Sequence, residues 1–349
     1  MVVTRRMRGP WIASILAVVA LAAPNLSRAA CQMATNAELD VRFSANRPLV
    51  RAEINGTPVW LLVDTGAYAS SLFVGAAERL GLKPYDTGVE AEGVGGRVKV
   101  MRADLDLLKL QKAEVKHFGM NIAGGANMDA ANGAVGLLGR DFLGLADVEF
   151  DLAAGKIRLF TPKDCGRQPL AYWTKEPAYV DMHRGGSRQA PFDFPLKLNG
   201  YYVDAVLDSG AGLTVVSPSV AAHAGVRQDQ FSADVGHSRG IGAHLMETRT
   251  ATFDTVDLGD EKIPNAQLQV TQLAFDPDSV GGAGSHLGGG GTQMLLGADF
   301  LRAHRVLIAG SQDRIYFTYN GGPVFHKVTT DRPSATPPAA GKPADRPQP

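Results

Sequence analysis

The chain has 349 residues, with 35 Lys+Arg against 35 Asp+Glu, 45% hydrophobic residues and 2 Cys. That length suits two domains at roughly 150 residues each, and the apolar content excludes wholesale disorder. A net charge of zero argues against a nucleic-acid partner, which would need a basic patch to displace phosphate counterions. Glycine, at 40 residues or about 11%, exceeds the usual roughly 7% and points to a turn-rich β protein.

At the N-terminus, Arg5, Arg6 and Arg8 precede an uncharged apolar run of 13 residues from Trp11 to Ala23. The run is shorter than the about 20 residues a membrane helix needs and has the form of a secretory h-region. Ser27-Arg28-Ala29 places small residues at −3 and −1, so residues 1–29 are read as a signal peptide cut after Ala29. Arg28 sits where a lipobox needs an apolar residue, which argues against acylation of Cys31. Arg5-Arg6 lacks the apolar residues that follow a twin-arginine pair. No second run of spanning length follows. The mature protein is expected to be exported, periplasmic or secreted, without a membrane span, where disulfides can form.

The remainder repeats itself. PLVRAEINGTPVWLLVDTGAYASSLFV, from Pro48 to Val74, matches FDFPLKLNGYYVDAVLDSGAGLTVVSP, from Phe192 to Pro218. Asn55-Gly56 aligns with Asn199-Gly200 and Asp64 with Asp208, both 144 residues apart. Leu137-Leu138-Gly139-Arg140-Asp141-Phe142-Leu143 then matches Leu295-Leu296-Gly297-Ala298-Asp299-Phe300-Leu301, 158 residues apart. In each copy an apolar run meets Asn-Gly, a strong signal for a type I′ hairpin turn. A second run, Val59 to Val63 or Tyr201 to Leu207, ends at the Asp. A short helix, Ala76 to Leu80 or Ser219 to Ala224, closes at Gly81 or Gly225. Strands around a glycine-rich turn follow, and each copy ends in a hairpin, Val148 to Phe160 and Arg305 to Tyr319. The expected class is mainly β. The boundaries are a first lobe over 30–165, a linker over 166–190, a second lobe over 191–328 and a disordered Pro/Ala-rich tail over 329–349. Cys31 and Cys165 bracket the first copy and are expected to pair.

Asp64-Thr65-Gly66-Ala67 and Asp208-Ser209-Gly210-Ala211 each place a carboxylate at a tight turn after an apolar strand. Glycine permits close backbone approach, and the small hydroxyl can bond across to clamp the two turns. If the copies pack about a pseudo-twofold axis, the acids meet, cannot both ionise easily and share a proton. One then serves as general base to a water and the other as general acid to a carbonyl oxygen.

These residues resemble the aspartic proteases, specifically the retropepsin-like branch, which carries Asp-Thr/Ser-Gly-Ala and a later apolar-apolar-Gly block. The likeness covers roughly Leu39 to Phe160 and Phe192 to Tyr319. It implies two homologous β-barrel lobes related by a pseudo-twofold, with the active-site cleft between them. It also implies Asp64 and Asp208 as the catalytic pair, Thr65 and Ser209 as the clamp, and flap tips at Gly93, Val94, Gly95, Gly96 and at Gly240, Ile241, Gly242. One chain supplies both halves, as in the pepsins, yet the pepsin pattern of Asp-Thr-Gly-Ser/Thr and a flap tyrosine are absent. Ala67 and Ala211 bring no hydroxyl to the acids, so the pair is expected to titrate higher than in pepsin-type sites.

Rival signals are weaker. Gly236-His237-Ser238-Arg239-Gly240 fits the Gly-x-Ser-x-Gly elbow formally, but the elbow needs a buried strand before it and a helix after it. His237 and His244 are too sparse for zinc, and the glycines at Gly93 to Gly96 complete no dinucleotide or phosphate fingerprint. The expectation is an exported, monomeric aspartic endopeptidase acting on peptide or protein without metal or cofactor. The alternative is a non-catalytic peptide- or protein-binding module that kept the aspartic protease fold but not turnover.

Overall fold

The Asn-Gly pairs turn hairpins as their conformational freedom allows. Asn55 and Gly56 have φ of 49° and 84°, and Asn199 and Gly200 have 50° and 82°. Each pair is the two-residue loop between directly paired strand ends, Ile54 with Thr57 and Leu198 with Tyr201. The asparagine side chains add a second anchor: Asn55 Oδ1 accepts from Leu107 N–H at 3.0 Å and Asn199 Oδ1 from Thr255 N–H at 3.1 Å. This computed structural model describes residues 31–93, 96–123, 133–183, 191–239, 245–273 and 293–325.

In the first half the elements run β1 (Gln32–Ser44), β2 (Arg47–Ile54), β3 (Thr57–Val63), β4 (Ser71–Phe73), α1 (Val74–Arg79) and β5 (Tyr85–Gly93). They continue with β6 (Gly96–Leu110), β7 (Ala113–Ala123), β8 (Gly136–Leu138), α2 (Arg140–Leu143), β9 (Asp147–Asp151) and β10 (Lys156–Lys163). The second half opens with β11 (Ala178–Asp181), β12 (Asp193–Leu198), β13 (Tyr201–Leu207), β14 (Val215–Val216), α3 (Pro218–His223), β15 (Gly236–Arg239) and β16 (Leu245–Leu258). It closes with β17 (Glu261–Val270), β18 (Met294–Leu296), α4 (Ala298–Ala303), β19 (His304–Ala309) and β20 (Arg314–Tyr319). The described residues are mainly β, in a 13-stranded and a 7-stranded sheet. Helix α3 starts as its sequence dictates, with Pro218 in its first turn and Ser217 Oγ accepting from Val220 N–H at 3.3 Å.

The seven strands of the second sheet are ordered β12-β13-β18-β14-β17-β16-β15, and the first sheet contains β2-β3-β8-β4-β7-β6-β5. Pairing directions match too. β8 and β18 lie parallel to β3 and β13 and antiparallel to β4 and β14. β3 and β4 are therefore consecutive in sequence but separated by β8, so residues 64–70 must arch across its end. The repeated Leu-Leu-Gly block supplies that inserted strand, buried at every position.

The other strands of the large sheet, β11-β20-β19-β9-β10-β1, carry it from the first half into the second. β9 and β19 meet directly, with Val148 opposite Ile308 and Phe150 opposite Val306. Fully buried Glu149 at this junction accepts from Arg158 Nη1 at 2.6 Å and from Arg305 Nη2 at 2.8 Å, one arginine from each half. The segment expected as a linker, 166–190, is more than a tether. It contains β11, paired to β20, and the buried Leu170 and Ala171. Cys31 and Cys165 form the expected disulfide beside the β1–β10 ladder, closing a separation of 134 residues.

Candidate active site

Asp64 and Asp208 stand where β3 and β13 end, and the backbone of each continues the adjoining strand. Asp64 N–H donates to Leu138 O at 3.0 Å and Asp208 N–H to Leu296 O at 2.9 Å. The Leu-Leu-Gly strand thus fixes the root of each acid. Its glycine then lets the arch pass over it: a Cβ on Gly139 would lie 2.6 Å from the carbonyl carbon of Ala69, and one on Gly297 2.6 Å from that of Leu213.

The two arches lock through their hydroxyl residues. Thr65 Oγ1 donates to Leu207 O at 2.6 Å and accepts from Ser209 N–H at 2.9 Å. Ser209 Oγ donates to Val63 O at 2.7 Å and accepts from Thr65 N–H at 3.1 Å. Each hydroxyl thus bonds the backbone of the opposite arch. Both side chains are fully buried, where such bonds strengthen and a missing partner is costly.

Gly66 and Gly210 bring the acids face to face. A Cβ on Gly66 would fall 2.5–2.7 Å from the Asp208 carboxylate, and one on Gly210 would fall 2.5 Å from either oxygen of Asp64. Each glycine is empty because the opposite acid occupies its side-chain space. Backbone amides hold the carboxylates: Ala67 N–H donates to Asp64 Oδ1 at 2.9 Å, and Gly210 and Ala211 N–H to Asp208 Oδ1 at 2.8 and 3.2 Å. Burial, then the neighbouring Asp208 charge, pushes the Asp64 carboxyl up to about 7, against the pull of the Ala67 amide. Burial likewise raises Asp208, opposed by its two amides. Two acids so placed retain a proton well above the ordinary carboxylate range, the condition for sharing one.

A family model described as aspartyl protease matches residues 50–142 and 194–300, ending each time within the repeated Leu-Leu-Gly block and its short helix. The chain belongs to the aspartyl protease family. A search of curated proteins found no match. In this chain the two Asp–hydroxyl–Gly–Ala turns come together. Of the expected flap residues, Gly93 and Gly96 are paired across the tip of the β5–β6 hairpin. Val94, Gly95, Gly240, Ile241 and Gly242 lie outside the described residues. The formal serine elbow is no strand-to-helix turn: Gly236–Arg239 is β15, antiparallel to β16 with Gly236 opposite Thr248.

Sequence reasoning passed over a second duplicated network. Asp141 Oδ1 accepts from Ser70 N–H at 2.8 Å and from Ser70 Oγ at 2.6 Å. Asp299 accepts from Thr214 N–H at 2.8 Å and Thr214 Oγ1 at 2.6 Å. The same hydroxyls accept from Gly139 and Gly297 N–H at 3.0 and 2.9 Å, tying arch to inserted strand. Burial pushes Asp299 up to about 6 and raises Asp141 as well, against their hydrogen bonds. The signal was legible: an acid repeated inside an apolar block, and a hydroxyl six residues after each strand-end Asp. Arg47 and Arg140, both mostly withdrawn from solvent, add positive charge near the acid pair. Burial lowers both arginines, and attraction to Asp64 and Asp208 opposes this.

Proposed function

We propose that this aspartyl protease is an exported, single-chain endopeptidase whose two lobes, related by a pseudo-twofold axis, place Asp64 and Asp208 as one catalytic dyad. The observation that carries this reading is the reciprocal seating of each carboxylate in the side-chain space of the opposite glycine. The ionised member takes a proton from a water held between the acids, and that water attacks the scissile carbonyl carbon. The protonated member gives its proton to the carbonyl oxygen, forming a tetrahedral diol. As the C–N bond breaks, the acid that took the water's proton gives it to the departing amine, and a diol hydroxyl returns its proton to the other acid. This releases a carboxylic acid and an amine and leaves the pair singly protonated. Thr65 and Ser209 keep the acids at a fixed spacing, so little reorganisation is needed during the reaction.

Paired buried acids disfavour a pure binding role, since binding needs no such costly arrangement. The β5–β6 hairpin would cover bound peptide, with the second flap at Gly240, Ile241 and Gly242. Export is supported by the apolar N-terminal run and by a disulfide that begins two residues after the expected cleavage site. No helix among the described residues is long and apolar enough to cross a membrane. The deciding experiment is hydrolysis of a peptide library across pH by wild type and by Asp64→Asn. Cleavage by wild type and none by the folded variant is expected. Equal cleavage by both would overturn the reading.

A further inference from the structure

The two arches differ beneath their glycines. The repeated block places Arg140 in the first copy where the second has Ala298. Arg140 is completely buried, although a buried cation is expensive unless partnered. Its Nη1 donates to Gly66 O at 3.2 Å, and its own backbone N–H donates to Ala67 O at 3.0 Å. The Gly66 carbonyl and the Ala67 N–H belong to one peptide group, and that N–H is the donor to Asp64 Oδ1. A chain therefore runs from guanidinium to carbonyl, through a planar peptide to its N–H, and on to the carboxylate. Hydrogen bonds in series polarise one another, and a full positive charge at the head strengthens the last donor.

We propose that Arg140 is the positioning residue of the acid pair, fixing and polarising the Gly66–Ala67 peptide so that its N–H steadies negative charge on the Asp64 carboxylate. The proposal deepens the dyad reading and rests on it for its catalytic meaning. The Ala298 N–H donates to Ala211 O at 2.7 Å, as that of Arg140 does to Ala67 O, but the Ala298 side chain brings no donor to Gly210 O. Asp208 Oδ1 instead accepts from Gly210 N–H at 2.8 Å and from Ala211 N–H at 3.2 Å. Arg140 is not the only charge facing the pair. Asp193 at the start of β12 and Tyr68 on the first arch also act on Arg140, and Arg47 at the start of β2 acts on both acids. A merely space-filling Arg140 would leave the ionisation of the pair unchanged on replacement by a neutral side chain of similar volume.

The test compares wild type, Arg140→Met and Arg140→Lys. In folded Arg140→Met the acidic limb of kcat/KM should move up by about one pH unit, the scale expected for loss of a nearby buried charge. Arg140→Lys should return the limb most of the way. An unmoved limb in a folded Arg140→Met would overturn the proposal. A measurement on the wild type needs neither variant stability nor hydrolysis. The Arg140 guanidinium and Ala67 amide NMR shifts should follow the carboxyl carbons of the acid pair at the same apparent pKa, with the Ala211 amide responding less. An equal or larger response at Ala211, or none at Arg140, would also overturn it. If wild type hydrolyses nothing while these shifts titrate together, the protease reading fails and the positioning of the acids by Arg140 stands.

Discussion

The Asp64 arch and the Asp208 arch share the frame that roots each carboxylate and differ in what holds and surrounds it: Asp64 accepts one backbone amide and Asp208 two. Both have the strand-end amide on the Leu-Leu-Gly strand, the crossed hydroxyl bonds, the open glycine and the hydroxyl–acid pair below. Around this frame the copies have drifted. Arg140 faces Ala298, and exposed Tyr68 faces Gly212. Gly212 is itself pressed by the first copy: Asn46 Nδ2 donates to its carbonyl at 2.6 Å, and a Cβ there would lie 2.5 Å from Ala45 O. The contrast teaches that the duplicated frame tolerates almost no change, because each side chain in it fills space or bonding capacity left by its counterpart.

The strongest way to break the comparison is to disable one acid at a time. If the acids act as the proposed unit, Asp64→Asn and Asp208→Asn should each lower kcat/KM by roughly 10³-fold or more, and the double variant should be little worse. A folded single variant with substantial activity would show that the arches are not equivalent in use. Next, Gly66→Ala and Gly210→Ala should each cost about 2–3 kcal/mol in denaturant titrations, since overpacking here forces the opposite carboxylate to move. One tolerated alanine would break the reciprocity.

A smaller effect separates the lower networks. Thr214→Val and Ser70→Ala should cost about 1–3 kcal/mol through the hydroxyl bonds lost by Asp299 and Asp141. The Thr214 change should be the worse, because Asp299 is buried and Asp141 is not fully so. Equal losses would argue that burial does not distinguish the copies. The smallest effect is on stability against pH. Because Asp64 is raised from 3.8 to about 7, the folded pair holds protons that the unfolded chain releases between those values, so stability falls as pH rises through that window. Asp64→Asn should therefore raise Tm modestly at pH 7–8 and hardly at pH 4, as thermal melts across pH would show.

Much of this frame was legible in the sequence because duplication prints each essential residue twice. Asp64 with Asp208, the Asn-Gly turns and the Leu-Leu-Gly block could be paired by offset alone. The disulfide was legible because only two cysteines exist. What was not legible lies between copies or in single residues. The crossing of Thr65 and Ser209 to the opposite backbone needs the relative placement of two arches 144 residues apart. Arg140, read as one letter in a repeated block, gave no sign that its guanidinium was buried under Gly66. The segment 166–190, polar and rich in Pro and Gly, concealed β11 because an edge strand of four residues carries too little alternation to be recognised.

The β9–β19 ladder pairs the two halves of the chain through equivalent positions. Val148 pairs with Ile308 and Phe150 with Val306, while the block repeat makes Val306 the counterpart of Val148 and Ile308 that of Phe150. Exchanging the copies therefore returns the same contacts, the self-complementary pattern of an isologous interface between identical subunits. Glu149 breaks the pattern, since the residue opposite it, and its own counterpart, is Leu307. A homodimer would bury two such acids at its axis; the fused chain buries one and surrounds it with Arg158 and Arg305. A single chain can carry different residues at such equivalent positions, a heterogeneity that no assembly of identical subunits could encode.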